Sequence, residues 1–224
     1  NLVCHSLLDL GDEVLLPTPY WPLIRGIIQH AGAVPIQIPF YTRLEEEGFD
    51  PEQALEAAIT EKTTAIYMNT PNNPTGAILS DEDLAAIARV AERHDLWIIT
   101  DEVYEDLYFG DEPPPCAWLR PDMAHRTIVT HSLSKAYGLA GARLGYTHGP
   151  AEIMHTLRGV QTFMTYCAAK PMQLAGAKAL ETGDSWLEAT RSKYRDAACW
   201  AADLLQVPAP PGGTFVFFDA SRWL

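Results

Sequence analysis

Residues 80–104, SDEDLAAIARVAERHDLWIITDEVY, contain the pattern that decides the fold. Apolar residues recur at helical spacing over 80–94, and Ser80 followed by Asp83 is a pair typical of a helix start. The short apolar run at 96–101 comes next, and a run of this length is typical of a buried parallel strand. A helix that leads directly into such a strand predicts an α/β protein with a mostly parallel sheet.

The alternation of helix and strand patterns continues along the chain. Alternating elements build βαβ units, which place helices on both faces of the sheet, so we expect a three-layer α/β/α domain. Strands are predicted at 12–16, 33–38, 64–68, 96–101, 127–131 and 143–147, and helices at 1–9, 20–31, 51–60, 80–94, 151–166, 168–181 and 185–205.

Asp101 lies at the carboxyl end of the strand predicted at 96–101. In open α/β sheets ligands bind outside the carboxyl ends of the strands, which makes this carboxylate a candidate site residue. It could pair with a protonated ring nitrogen, or it could cap the next helix, and this motif alone favours neither interpretation. Tyr104, three residues later, could reach a phenolic oxygen of the same ligand.

A turn rich in Asn and Pro occupies residues 69–76, after the strand predicted at 64–68. Because Pro fixes φ and Gly accepts a positive φ, this turn is expected to be rigid. A rigid turn at the carboxyl end of a strand can hold an amide side chain in one orientation. Asn73 is therefore a candidate donor of a hydrogen bond to a cofactor or substrate oxygen.

Residues 132–143, SLSKAYGLAGAR, combine a lysine with hydroxyls, glycines and an arginine. Glycines let the backbone approach a ligand closely, and the hydroxyls of Ser132 and Ser134 with Arg143 suit a phosphate monoester. The amine of Lys135 could condense with a carbonyl as a Schiff base. A phosphate and an aldehyde on one small molecule describe pyridoxal phosphate, although a solvated lysine after a strand would give a similar pattern.

In this order the three motifs resemble those of the class I/II aminotransferases, the aspartate-aminotransferase-like branch of the fold-type I pyridoxal-phosphate enzymes. The resemblance runs over nearly the whole chain, from 11–14 and 17–20 to 211–215. It implies a fold-type I large domain at 1–184. Residues 185–224 are then the interdomain helix and the first strand, at 214–218, of a small α+β domain.

The resemblance assigns a role to each candidate residue. Lys135 resembles the lysine that forms the Schiff base, and Asp101 resembles the partner of the pyridine nitrogen. Asn73 and Tyr104 resemble the pair that hydrogen-bonds the phenolic oxygen. The implied catalytic residues are Lys135, Asp101 and Tyr104.

The remaining cofactor-binding positions follow from the same resemblance. Tyr20 is placed as the aromatic residue that stacks on pyridoxal phosphate, and Ser132, Ser134 and Arg143 match the phosphate-binding positions. The implied activity is the transfer of an amino group between an L-amino acid and a 2-oxo acid by a ping-pong mechanism. The implied assembly is a homodimer.

Compared with the family pattern, both ends are expected to be missing. The N-terminal segment should include a helix whose exposed N–H groups hold the cofactor phosphate. The C-terminal part should include the arginine that binds the substrate's α-carboxylate. Arg222 lies too early to be that arginine and is expected to be a surface charge. We therefore expect the chain to be a fragment of a longer gene product.

Three other functions are compatible with parts of the pattern. A pyridoxal-phosphate lyase acting on a C–S bond, or a cyclopropane-forming synthase, would share the lysine, aspartate and arginine, but residues 73–76 and 101–104 favour an aminotransferase. A non-catalytic regulator domain that binds the cofactor usually has an attached DNA-binding module, and this chain is acidic. A structural α/β domain would require Lys135, Asp101, Asn73 and Arg143 to co-occur by accident.

The composition limits the partners of the chain. A net charge of −13 argues against binding to nucleic acid or to anionic membrane surfaces. Neither a membrane-spanning apolar run nor a signal-peptide pattern is recognised, so the expected location is the cytoplasm. The four cysteines and seven histidines show no ligand spacing, so no metal is expected, and His131 is expected to end a strand.

Overall fold

The computed structural model describes residues 1–221 as a six-stranded sheet with helices on both sides. Arg222 lies outside the described residues. The strands are β1 (Glu13–Thr18), β2 (Val34–Pro39), β3 (Thr63–Asn69), β4 (Trp97–Asp101), β5 (Thr127–Ser132) and β6 (Gly145–His148), and the α-helices are α1 (Leu2–Leu7), α2 (Pro22–His30), α3 (Pro51–Glu56), α4 (Asp81–Arg93), α5 (Ala151–Met164), α6 (Lys170–Thr182) and α7 (Asp184–Leu205).

The strand order is β2-β1-β3-β4-β5-β6, and every pairing is parallel except that of β5 with the edge strand β6. The strand β1 lies between β2 and β3. The chain therefore runs from β1 outward to β2, and then passes back over β1 to reach β3 on its other side. Such a switch point opens a crevice at the carboxyl ends of the strands. The predicted, mostly parallel α/β sheet is confirmed.

Alternate residues of the central strands face two separate cores. Leu15 and Ile66 pack into the cluster that includes residues of α3 and α4. Val14, Leu16 and Tyr67 pack into the opposite cluster, with residues of α1, α2 and α5. Because side chains alternate along a strand, both faces of these central strands are covered, and this gives the expected three layers.

The helix α4 begins as predicted. The Ser80 hydroxyl accepts a hydrogen bond from the Asp83 N–H (3.1 Å), and the Asp83 carboxylate accepts one from the Ser80 N–H (2.9 Å). This capping box satisfies backbone donors that the first turn of a helix leaves unpaired. The end of α4 is tied to α3 by Arg93, which forms ion pairs with Glu52 (2.8 Å) and Glu56.

Two predicted strands differ from the structure. The strand predicted at 143–147 begins only at Gly145, because Arg143 has a left-handed backbone (φ 51°) that cannot extend a ladder. Residues 214–218 belong to no sheet within the part of the chain that is described. Near them only an isolated bridge joins Gly212 to Tyr108, and without a neighbouring strand an extended segment has no ladder to join.

No helix within residues 1–221 is both long enough and apolar enough to cross a membrane.

Candidate active site

A cavity of about 330 Å³ opens where the loops after β1, β3, β4 and β5 meet at the carboxyl ends of the strands. This volume is at the lower end of the range for small-molecule sites. Seven of the eight predicted site residues line the cavity: Asn73, Asp101, Tyr104, Ser132, Ser134, Lys135 and Arg143. The other lining residues are Trp21, Asn69, Val103 and Ala140.

Asp101 is the last residue of β4, and its carboxylate is held by two donors. The Tyr67 hydroxyl donates to Oδ2 (3.0 Å), and the Val103 N–H donates to Oδ1 (3.3 Å). Burial raises the pKa of Asp101, while these hydrogen bonds and the positive charges of His131 and Lys135 oppose that rise. A cation bound against this carboxylate would favour its ionised form.

The turn at 69–76 is fixed to β4 through Asn69. Its Nδ2 donates to the backbone oxygen of Asp101 (2.7 Å), and its Oδ1 accepts from the Asn73 N–H (2.7 Å). Asn72 braces the same turn, since its Oδ1 accepts from the Thr75 N–H (3.1 Å) and from the Thr75 hydroxyl (2.7 Å). These bonds hold the backbone that presents Asn73 to the cavity.

Lys135 lies on the loop that follows β5, and it is exposed to solvent. Its Nζ lies 5.7 Å from the centroid of the Tyr104 ring, and that tyrosine is 2% exposed. The loop around the lysine is shaped by local bonds, in which the Ser134 N–H donates to the Ser132 hydroxyl (3.2 Å) and Arg143 Nη1 donates to the Ala140 carbonyl (3.0 Å). The amine and the guanidinium are therefore both accessible from the cavity.

Tyr20 is the predicted site residue that the cavity does not include. Its hydroxyl donates to Gln37 Oε1 on β2 (3.0 Å), and the next residue, Trp21, lines the cavity instead. The sequence has two adjacent aromatic residues before α2, and only the path of the loop decides which of the two rings lines the cavity. Asn69 also lines the cavity but was not predicted as a site residue, although its position at the carboxyl end of β3 indicates one.

The side chains around the cavity match the functional groups of pyridoxal phosphate. Lys135 supplies an amine for an aldehyde, and Asp101 supplies a carboxylate for a protonated ring nitrogen. Ser132, Ser134 and Arg143 supply hydroxyls and a guanidinium for a phosphate. The cavity also has a flat aromatic side chain, Trp21, on its wall. The residues present therefore fit this cofactor.

Gly76→Ala is expected to lower the free energy of unfolding by about 1–3 kcal/mol. Gly76 has a φ of 75°, and an added Cβ would lie 2.7 Å from Pro210 Cβ and 2.8 Å from the Gly212 carbonyl oxygen. The substitution would strain the backbone and separate the 69–76 turn from the segment packed on it. Urea unfolding followed by circular dichroism measures the effect.

Gly159→Ala in α5 is the matched control for the same chemical change. No atom lies within 4 Å of a Cβ added at Gly159, so a stabilisation of about 0.5–1 kcal/mol is expected there. If Gly76→Ala were as stable as the original chain, that result would contradict the close packing of Gly76 against Pro210 and Gly212.

The chain is similar to known aminotransferases. The family model described as aminotransferase class I and II matches residues 1–219. An aspartate aminotransferase of Musicola paradisiaca is 34% identical over 220 residues, which are 96% of this chain and 54% of that protein. A probable N-succinyldiaminopimelate aminotransferase of Mycobacterium tuberculosis is 38% identical over 191 residues, covering 85% of this chain and 48% of the relative.

The fold is also similar to that of solved structures. The structure of N-succinyldiaminopimelate aminotransferase from Mycobacterium tuberculosis superposes with a TM-score of 0.86 and 32% sequence identity, over 99% of this chain and 61% of that chain. The chain thus spans about half the length of the curated relatives that it matches.

Proposed function

The chain belongs to the aminotransferase class I and II family, and from this premise we propose that it is the cofactor-binding part of a pyridoxal-phosphate-dependent aminotransferase. The observation that carries the proposal is that Lys135 and Asp101 line the same cavity, together with candidate phosphate-binding groups. Because the chain spans about half the length of its relatives, the activity of the whole protein is part of this proposal.

When bound, pyridoxal phosphate supplies an aldehyde that condenses with amines and a ring that withdraws electrons from the carbon next to the nitrogen. In the proposed site the carboxylate of Asp101 holds a proton on the ring nitrogen, since opposite charges at close range favour each other. Ser132, Ser134 and Arg143 bind the phosphate. Asn73 and Tyr104 donate to the phenolic oxygen.

Lys135 has two roles in the proposed reaction. Its Nζ would hold the cofactor's aldehyde before an amino acid arrives. As a free amine it would accept the proton from the Cα of a bound amino acid as a general base, and it would then return a proton as a general acid. The exposed position of Lys135 on its loop is compatible with both roles.

The proposed reaction has two halves. An L-amino acid enters and leaves as a 2-oxo acid, and a second 2-oxo acid then enters and leaves as an amino acid. The cofactor would supply the carrier of the amino group, and because the first 2-oxo acid would leave before the second one enters, the kinetics would be ping-pong. The names of the aspartate and N-succinyldiaminopimelate aminotransferase relatives support the proposal that the substrates are amino acids.

The domain division at residues 184 and 185, the homodimer and the cytoplasmic location belong to the same proposal. The helices α5, α6 and α7 expose large apolar side chains, including Phe163, Leu174 and Trp200, which is typical of a surface that another protein segment covers. All four cysteines are free thiols, which is typical of the reducing cytoplasm.

The proposal is tested by following the amino group. The chain is mixed with pyridoxal phosphate and a panel of acidic, aromatic and aliphatic L-amino acids, and 2-oxo acid and ammonium are both quantified. We expect at least one amino acid to give 2-oxo acid in an amount equal to the bound cofactor, without ammonium. Release of ammonium together with the oxo acid would indicate a lyase, and a folded chain that binds no pyridoxal phosphate would contradict the proposal.

A further inference from the structure

A second cluster of polar side chains lies at the β4–β5–β6 side of the sheet, outside the cavity. Glu102 and Glu105 follow β4, His131 lies in β5 as predicted, and His148 ends β6. One ligand atom of each of Glu102, Glu105 and His131 lies within 4.8 Å of the others. None of these four residues lines the cofactor cavity.

The imidazole of His131 points into this cluster, where its Nδ1 forms an ion pair with Glu105 but has no well-aligned hydrogen bond. Its side chain is 6% exposed, and its Nδ1 is buried without a hydrogen-bond partner among the described residues. The nearest carboxylate oxygen, Oε1 of Glu105, lies 2.6 Å from Nδ1 but not along the N–H direction that a hydrogen bond requires. These two atoms are close but do not form a hydrogen bond with each other, and both could bind the same cation.

The other nitrogen of His131 has a partner. Its Nε2 lies 3.1 Å from Nε2 of His148, so one ring donates and the other accepts. If His131 donates through Nε2, its Nδ1 has a free lone pair. A histidine that binds a metal usually donates its second N–H to a neighbouring group in this way, which fixes its tautomer.

We propose that Glu102, Glu105 and His131 bind one divalent first-row transition-metal ion. In this site Nε2 of His131 donates a hydrogen bond to Nε2 of His148. Imidazole and carboxylate together suit zinc and its neighbours in the series. Three protein ligands leave a coordination position for water. The Glu105 side chain is 37% exposed, which gives an ion a path to the buried partners. The sequence predicted no metal, because the ligands are brought together only by the sheet.

The site is tested by titration of the chain, freed of metal with a chelator, with cobalt(II). Visible absorption of the bound ion and isothermal titration calorimetry are recorded, and zinc(II) is then added as a competitor. We expect one equivalent of cobalt to bind and zinc to displace it. Glu105→Gln and His131→Gln should weaken binding by more than about 100-fold, and His148→Phe by about 10–100-fold, the range for changes behind a ligand.

The exposed pair His5 and His30, 3.0 Å apart, is the control for adventitious binding. The double variant His5→Gln/His30→Gln should bind cobalt as the original chain does. Loss of binding in that double variant, full binding by folded Glu105→Gln, or no binding by the original chain would each overturn the proposal. Circular dichroism establishes that each variant is folded, and if one ligand variant unfolds, the other ligand variant decides the question.

Discussion

Lys135→Arg and Lys135→Ala are expected to abolish the covalent link between the chain and pyridoxal phosphate. Only an amine that loses its proton can condense with the aldehyde, and a guanidinium remains protonated, so arginine keeps the charge of Lys135 without the chemistry. Conversion of amino acids should fall by at least about 10²–10⁴-fold, the usual contribution of a general base. Visible absorption before and after borohydride reduction measures the link, and 2-oxo acid release measures the conversion.

Lys178→Ala is the matched control for removing a lysine. Lys178 lies on α6 with its side chain 69% exposed, beside Glu181, and it does not line the cavity. This variant should show the same visible absorption of the cofactor link as the original chain and should convert amino acids as fast. A Lys135→Arg variant that still formed the reducible link would show that another amine binds the aldehyde, and the assignment of Lys135 would be wrong.

Asp101→Asn is expected to weaken pyridoxal-phosphate binding by about 10–100-fold, since a hydrogen bond to a charged group contributes about 1.5–3 kcal/mol. The asparagine can still accept a hydrogen bond from Tyr67 but brings no charge to the ring nitrogen. Cofactor affinity is measured by titration at pH 7.5, where the ring nitrogen needs the carboxylate to retain its proton.

The same variant should leave the cofactor-free chain as stable as before or slightly more stable. Burial raises the pKa of Asp101, so ionisation of the carboxylate costs free energy in the folded chain at pH values above its usual range. Asparagine does not ionise and removes that cost. Asp111→Asn on an exposed loop is the control, with no change expected in binding or stability. Unchanged cofactor affinity in Asp101→Asn would contradict the role of the carboxylate.

The sequence predicted most of the fold because its signals are local. Helical spacing and the Ser80–Asp83 pair located α4, and the predicted strands overlap all six observed strands, although β6 begins two residues later than predicted. Since parallel strands end at one edge of a sheet, polar residues that follow those strands were expected to meet. Asn73, Asp101 and Lys135 do meet in one cavity.

The features that the sequence did not predict depend on long-range geometry. Tyr20 and Trp21 are neighbours with similar chemistry, and only the loop between β1 and α2 decides that the tryptophan faces the cavity. The segment 214–218 has the composition of a strand but joins no sheet in the part of the chain that the structure describes. His131 and His148 meet only because β5 and β6 pair in antiparallel register.

The most direct test of the central claim is to map the lysine that pyridoxal phosphate modifies. The unmodified chain is mixed with the cofactor, reduced with borohydride, digested and analysed by mass spectrometry. We expect the label on Lys135, while Lys62, Lys170, Lys178 and Lys193 remain essentially unlabelled. Label spread over the surface lysines, or its absence from Lys135, would contradict the claim that this cavity is a pyridoxal-phosphate site.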